Sequence, residues 1–278
     1  ENLSILAKEK GVETFTGYFN EVTSTKILSD YGKAKVITLT NTFPHLQDLT
    51  NFMKGVSNLL DEDGILFLEA HYLADIYEQI AFDTIYHEHV SYWHLHPIKK
   101  MFEDFGFEIK FVQRLPLHHG QIRVVASKSD NIQTDVGVNN LIEWENKNKI
   151  GSKEKAVEFA NKSLEIKSEL NLVISQFKKE GKSIAGYGAP AKATTLMNFL
   201  NLNNTNLDFV ADRSPLKQGL IIPGTDIEIV NPEKINHDKP DYLILFAWNF
   251  KDEIIGQLSE YRNKGGKLII PLPEIEII

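Results

Sequence analysis

The sequence predicts an α/β protein built on parallel sheets. Two observations predict it. Apolar, β-branched runs such as Val36–Thr40 and Ile65–Glu69 alternate with helical stretches, and a second alternation of the same kind begins after a polar, helix-rich interval. With 278 residues, the chain has room for two domains, and 42% hydrophobic with 24% charged residues is the balance of a soluble globular protein.

The elements follow in order. Residues 2–10 read as a helix stopped at Gly11, and Val12–Phe15 as a short strand. Glu21–Tyr31 is helical and ends at Gly32; Val36–Thr40 has the composition of a buried parallel strand. Leu46–Leu60 places apolar residues at 46, 49, 52, 53, 56, 59 and 60, spaced for one helical face. Asp61–Gly64 reads as a turn and Ile65–Glu69 as the next buried strand. Pro97–Phe105 is a helix closed by Gly106. Phe107–Val112 and Gln121–Ala126 are two strands whose connection is too short for a parallel crossover, so an antiparallel pair at a sheet edge is expected. Ser129–Asn140 is a polar linker, and 141–180 carries one or two long helices, read as a solvated bridge. Ser183–Thr195 then reads as strand, glycine turn and helix start, followed by strands at Leu207–Asp212, Tyr242–Trp248 and Lys267–Pro271: a small Rossmann-like unit. The expected divisions are 1–128, a linker and bridging helices at 129–180, and 181–278.

Several function classes drop out. The net charge of −8 argues against a nucleic-acid partner, and no stretch approaches the roughly 20 apolar residues of a membrane span. The absence of cysteine removes disulfides, thiolate nucleophiles and Cys-ligated zinc from this chain. With no signal peptide, a cytoplasmic location is expected. The start at Glu1 reads as that of a fragment.

Ligands of α/β sheets bind beyond the carboxyl ends of the strands. That rule selects Gly17-Tyr18-Phe19, Thr40-Asn41-Thr42-Phe43-Pro44-His45 and Glu69-Ala70-His71-Tyr72, with Tyr86–His94 expected to fold over them. Eight of the nine histidines lie between His45 and His119, four of them at His87, His89, His94 and His96. Three readings stand. A metal site would use His87 and His89, which share a face only on a strand, but H-E-x-x-H is absent and no third ligand is set by spacing. A structural cluster would have the polar groups satisfy one another. In an acid/base site His89 abstracts a proton, Glu88 and Tyr86 orient or stabilise it, and His45 and Asn41 come from a neighbouring strand end. Convergence of two segments on one crevice favours the last.

The Gly186-x-Gly188 turn lacks the third glycine of G-x-G-x-x-G and fails the Walker A spacing, so a dinucleotide or ATP site is disfavoured. The helix start beside it, with Lys192, could still hold a diphosphate; otherwise the glycines simply permit a tight turn.

These residues carry a resemblance. Asn41-Thr42-Phe43-Pro44-His45, the unbroken Asp83–His89 string, His119-Gly120-Gln121-Ile122-Arg123, Gly188–Lys192, Asp212–Gly219, Pro223-Gly224-Thr225, Ala247–Glu253 and Gly265-Gly266-Lys267 occur in the order found in S-adenosylmethionine-dependent sugar C-methyltransferases. The chain resembles that family over nearly its whole length. The resemblance implies a partial class I methyltransferase Rossmann-like domain, a helical linker and a second small Rossmann-like domain. It also implies methylation at C3 of a nucleotide-linked 4-keto-6-deoxysugar through an enolate. His89 would be the base, with Tyr86, Glu88, His45 and Asn41 around the sugar, and Tyr18, Phe19, Thr40 and Thr42 would face the cofactor. Lys192, Tyr187, Gly188, Arg123 and His119 fall on the substrate side. The family's Cys-rich zinc module and its glycine-rich cofactor loop have no counterpart in this chain, so weak cofactor binding is expected of it. His118 and Gln121 depart from the family pattern. The readings kept beside this one are a nucleotide-sugar-binding fragment without activity and an NAD-dependent oxidoreductase.

Overall fold

Buried apolar runs become the central strands. The computed structural model describes residues 2–116 and 120–278. The chain divides into two compact units: one gathers the described residues up to Ala70 with Trp93–Leu115 and Ile122–Asn146, the other His71–Tyr92, the described residues of 116–121 and Lys147–Ile278.

The first unit begins with α1 (Asn2–Glu9) and α2 (Glu21–Tyr31), the latter opened by a capping box in which the Asn20 side chain accepts from Thr23 N–H. β1 (Ala34–Thr40), α3 (Leu49–Leu59) and β2 (Leu60–His71) follow, with β1 and β2 parallel. After α4 (Leu73–Glu78), which belongs to the second unit, come α5 (Leu95–Asp104), β3 (Glu108–Leu115), β4 (Gln121–Ser127) and α6 (Val136–Lys147), and the sheet order is β1-β2-β4-β3. Adjacent β3 and β4 match the expected edge pair.

Four local expectations fail here. Val12–Phe15 is not a strand: Val12 and Phe15 are exposed, and among the described residues no sheet partner engages them. The expected helix at Leu46 starts at Leu49, because Phe43–His45 forms a 3-10 turn and Asp48 caps the helix by accepting from Asn51 N–H. Asp61–Gly64 belongs to β2 rather than to a turn. Ala34 faces Leu60 while Val36 faces Ile65, so the acidic residues bulge from the ladder, and Lys35 holds Asp61 at 3.0 Å and pairs with Asp63. The last five residues of the expected linker, 136–140, are helical, as the start of α6.

In the second unit, α7 (Lys153–Lys179) precedes β5 (Ile184–Tyr187), α8 (Ala191–Phe199), β6 (Val210–Ala211), β7 (Ile221–Ile222), β8 (Ile227–Val230), α9 (Glu233–Asp238), β9 (Tyr242–Leu245), α10 (Lys251–Gln257), α11 (Ser259–Asn263), β10 (Lys267–Ile270) and β11 (Glu276–Ile277). The sheet order is β11-β10-β9-β5-β6-β8-β7; the five central strands run parallel and the outer two antiparallel. α7 is not a solvated bridge: Ile166, Leu170 and Ile174 are buried in this unit's core, while Leu164 and Leu172 face outward. The same core takes in Ile76, Ile80, Ala81 and Phe82, so the segment leading into the histidine cluster packs with the second sheet. Among the described residues no helix is long and apolar enough to cross a membrane.

Candidate functional site

The histidine segment is anchored before it is functional. Phe82–Thr84 forms a 3-10 turn, closed by Thr84 N–H to the Ala81 carbonyl and Ile85 N–H to the Phe82 carbonyl. The Phe82 ring lies 4.7 Å from the Phe199 ring on α8. Asp83 is fully buried; its Oδ2 accepts the Trp248 indole N–H at 2.7 Å and stands 3.5 Å from Lys192 Nζ. The Lys192 ammonium in turn sits 4.5 Å over the Trp248 ring. Lys192 follows β5 in the first turn of α8, and Trp248 follows β9, so both project from the carboxyl ends of neighbouring parallel strands. At these two positions the sheet's customary ligand edge holds the chain's own Asp83. Burial holds the Asp83 carboxyl above its ordinary range against the pull of Lys192; burial pushes Lys192 down to about 8 against the pull of Asp83.

The turn presents Thr84 to His89. His89 is 8% exposed, and its Nδ1 lies 2.8 Å from the Thr84 carbonyl oxygen. A carbonyl oxygen can only accept, so Nδ1 carries the hydrogen and the lone pair of the neutral ring is on Nε2. The Tyr92 hydroxyl donates to the same oxygen at 3.3 Å. The His89 ring packs 4.4 Å from Tyr86 and 4.7 Å from His71, and the His89 backbone N–H closes a turn onto the Tyr86 carbonyl at 3.0 Å. Burial first, then the charges of Glu88 and Asp83, raise the Tyr86 hydroxyl, and burial pushes Tyr92 up to about 12. Both phenols therefore stay protonated as donors at neutral pH. His87 and Glu88 are exposed beside this buried imidazole.

In the first unit, the end of β1 carries Asn41, whose backbone sits in the left-handed region at φ 53° and whose N–H donates to the Glu69 carbonyl at 3.0 Å. Phe43 is buried against Phe52 and Trp93, while His45, Thr40 and Thr42 are exposed, the Thr42 hydroxyl donating to the Thr40 carbonyl. Glu69, at the end of β2, accepts from Arg123 Nε at 2.6 Å, and the Arg123 guanidinium stacks 5.2 Å from the Phe67 ring. Tyr18 is exposed; Phe19 packs edge-on against Phe52.

The glycine turn of the second unit is a packing device. A Cβ on Gly186 would stand 2.5 Å from the Phe246 ring, and Gly188 has φ +86° with its N–H donating to the Ala211 carbonyl. Asp212, at the end of β6, would hold a ribose in a dinucleotide site. Here its Oδ2 accepts the Ala189 N–H at 2.6 Å, and Lys217 Nζ donates to the Ala189 carbonyl. The Tyr187 hydroxyl donates to Gln257. The expectation that Lys192 reaches a diphosphate meets a different geometry: its side chain, 12% exposed, turns to Asp83.

Of the expected catalytic group, Tyr86, Glu88 and His89 lie together on one turn of the second unit, and Asn41 and His45 on one loop of the first. His119 lies outside the described residues. The contact of His89 Nδ1 with the Thr84 carbonyl has no counterpart in the sequence reading, because a backbone carbonyl has no signal in sequence. The strand-end rule selects His71 but no spacing ties it to His89, and Trp248 sits too far along the chain for spacing to reveal it. Among the described residues no group of three or more His, Asp or Glu side chains could hold a metal ion.

A family model described as the C-methyltransferase C-terminal domain matches residues 116–273, and one described as a methyltransferase domain matches residues 6–110. A curated relative, the C-methyltransferase NovU of Streptomyces niveus, is 33% identical over 278 residues, covering 100% of this chain and 66% of that protein. The chain thus spans a little under two thirds of that relative's length.

Proposed function

We propose a function on one premise: the chain belongs to the C-methyltransferase family. The whole protein of which this chain is part transfers a methyl group from S-adenosylmethionine to C3 of a nucleotide-linked 4-keto-6-deoxysugar, as a cytoplasmic enzyme. One observation carries the reading: His89, buried and held through Nδ1 by the Thr84 carbonyl at 2.8 Å, keeps the lone pair of its neutral ring on Nε2.

The 4-keto group acidifies the C3 hydrogen. His89 Nε2 removes that proton, and the electron pair delocalises onto the keto oxygen as an enolate. Tyr86, protonated at working pH, His45 and Asn41 are the proposed donors to the developing oxyanion, and Glu88 stabilises the imidazolium once it forms. His119, Arg123, Tyr187 and Gly188 are proposed for the substrate side. The residues given to the cofactor fit part of it: Tyr18 offers an open ring for adenine, and Thr40 and Thr42 are exposed at a strand's carboxyl end, whereas Phe19 packs on Phe52. S-adenosylmethionine, when bound, would supply an electrophilic sulfonium methyl for C3, its sulfur keeping the electron pair of the S–CH3 bond that breaks.

The test uses the full-length protein, a nucleotide 4-ketosugar and deuterium oxide without methyl donor. The wild type exchanges the C3 hydrogen, and His89→Ala slows exchange by about 10²–10⁴-fold. Exchange that persists in His89→Ala would refute the role of that residue.

A further inference from the structure

The Thr84 carbonyl can fix the His89 tautomer only if the turn bearing it is itself fixed. Two contacts fix it, both within the second unit. Phe82 anchors the turn's apolar side on Phe199, and Asp83 anchors its polar side on Trp248 and Lys192. A carboxylate without exposed surface is costly unless its partners are well placed. Asp83 Oδ1 is buried with no hydrogen-bond partner among the described residues, so Oδ2 carries the whole anchorage. The two side chains that meet it leave neighbouring strand ends of one sheet, which gives them a rigid origin. Thr84 is the next residue, and its carbonyl receives both His89 Nδ1–H and the Tyr92 hydroxyl. Nothing in the reaction requires a carboxylate at position 83, yet its bonds end one residue from the atom that orients the base.

We propose that Asp83 is a positioning residue, clamped by Trp248 and Lys192, which holds the Thr84 carbonyl on His89 Nδ1 and thereby keeps the lone pair of His89 on Nε2. The clamp places the small Rossmann-like unit in the reaction as the mount of the base. With the clamp loosened, the carbonyl drifts from Nδ1 and the imidazole populates both tautomers. The imidazolium also loses an acceptor that favours it, so the pKa of His89 falls.

The inference rests on the base role proposed for His89, and its test separates the two. Asp83→Asn, Trp248→Phe and wild type are prepared as the full-length protein with ¹⁵N-labelled histidine, and the His89 resonances are assigned with His89→Gln. In wild type the His89 shifts report hydrogen on Nδ1. In both variants they move toward a mixture of tautomers, whether or not any substrate is turned over. In C3 exchange assays, the acid limb of the pH–rate profile moves down by about 0.5–1 unit and the plateau rate falls about 10–100-fold, while the substrate KM changes less than about threefold. A purely structural role lowers the active fraction without moving the pH limb. Unchanged tautomer and unchanged pH limb in a folded variant overturn the clamp, as does loss of folding in both variants, which would make the cluster structural alone. If wild type shows the Nδ1–H tautomer and the variants lose it, yet no C3 exchange occurs in wild type, the clamp stands and the proposed reaction falls.

Discussion

Burial decides the chemistry of Lys192. Its ammonium is desolvated between α8 and the Trp248 ring, and its folded-state value lies at about 8, below the unfolded 10.5. The unfolded chain therefore binds this proton more tightly than the folded one, so the group's cost to stability is fully present below pH 8 and is relieved as pH rises from about 8 to 10.5. In Lys192→Met that titration disappears. The urea midpoint of wild type should rise relative to the variant across that interval, measured by tryptophan fluorescence. A falling difference would mean that the attraction to Asp83 outweighs desolvation. The residue type was legible in the sequence as a cation at a helix start, a place that suits phosphate. Its partner was not, because Asp83 and Lys192 meet only once β5 and α8 are packed against the turn.

At the scale of elements, legibility followed burial. Strands such as β5, β9 and β10 were visible because a parallel strand covered on both faces demands a continuous apolar run. β1 carries the same kind of run but lies at a sheet edge with none of its residues buried, so the buried strand expected at Val36–Thr40 is not found. Val12–Phe15 has strand composition but no partner, and a strand is a property of a pair rather than of a segment. Glu145 makes the same point for helices: from α6 it accepts the N–H groups of Leu95 and His96 and the Nδ1–H of His94, capping α5 from fifty residues away. α7 is the element whose role the sequence misstated. Its many Lys and Glu residues drew attention from a narrow apolar stripe at Ile166, Leu170 and Ile174 that belongs to the core. Leu170→Ala should cost about 2–5 kcal/mol in denaturant unfolding, as removal of a fully buried side chain does. Leu172→Ala, two residues on and exposed, should stay within about 0.5 kcal/mol. Equal effects would restore the view of α7 as a solvated bridge.

At the scale of the whole molecule, chain order and spatial grouping part company. The histidine segment follows β2 in sequence, yet residues 71–92 gather with the second unit, because Ile76, Ile80 and Phe82 find their apolar neighbours there. The proposed base is therefore mounted on the C-terminal unit, whereas the residues proposed for the methyl donor all lie in the first, where the contacts they can offer are few. Phe19 is already committed to Phe52, and the Thr42 hydroxyl to the Thr40 carbonyl. What remains is one aromatic face at Tyr18, worth roughly 1–3 kcal/mol on a stacked base, and the Thr40 hydroxyl, worth about 1 kcal/mol for each hydrogen bond it makes. Association itself costs at least about 4 kcal/mol. The surplus is too small for affinity tighter than about 1 mM, which needs roughly −4 kcal/mol. Titration calorimetry of the 278-residue chain with S-adenosylmethionine should therefore give a dissociation constant of about 1 mM or weaker. A constant near 10 μM, some 7 kcal/mol of binding, would show that residues of this chain outside Tyr18, Phe19, Thr40 and Thr42 hold the cofactor.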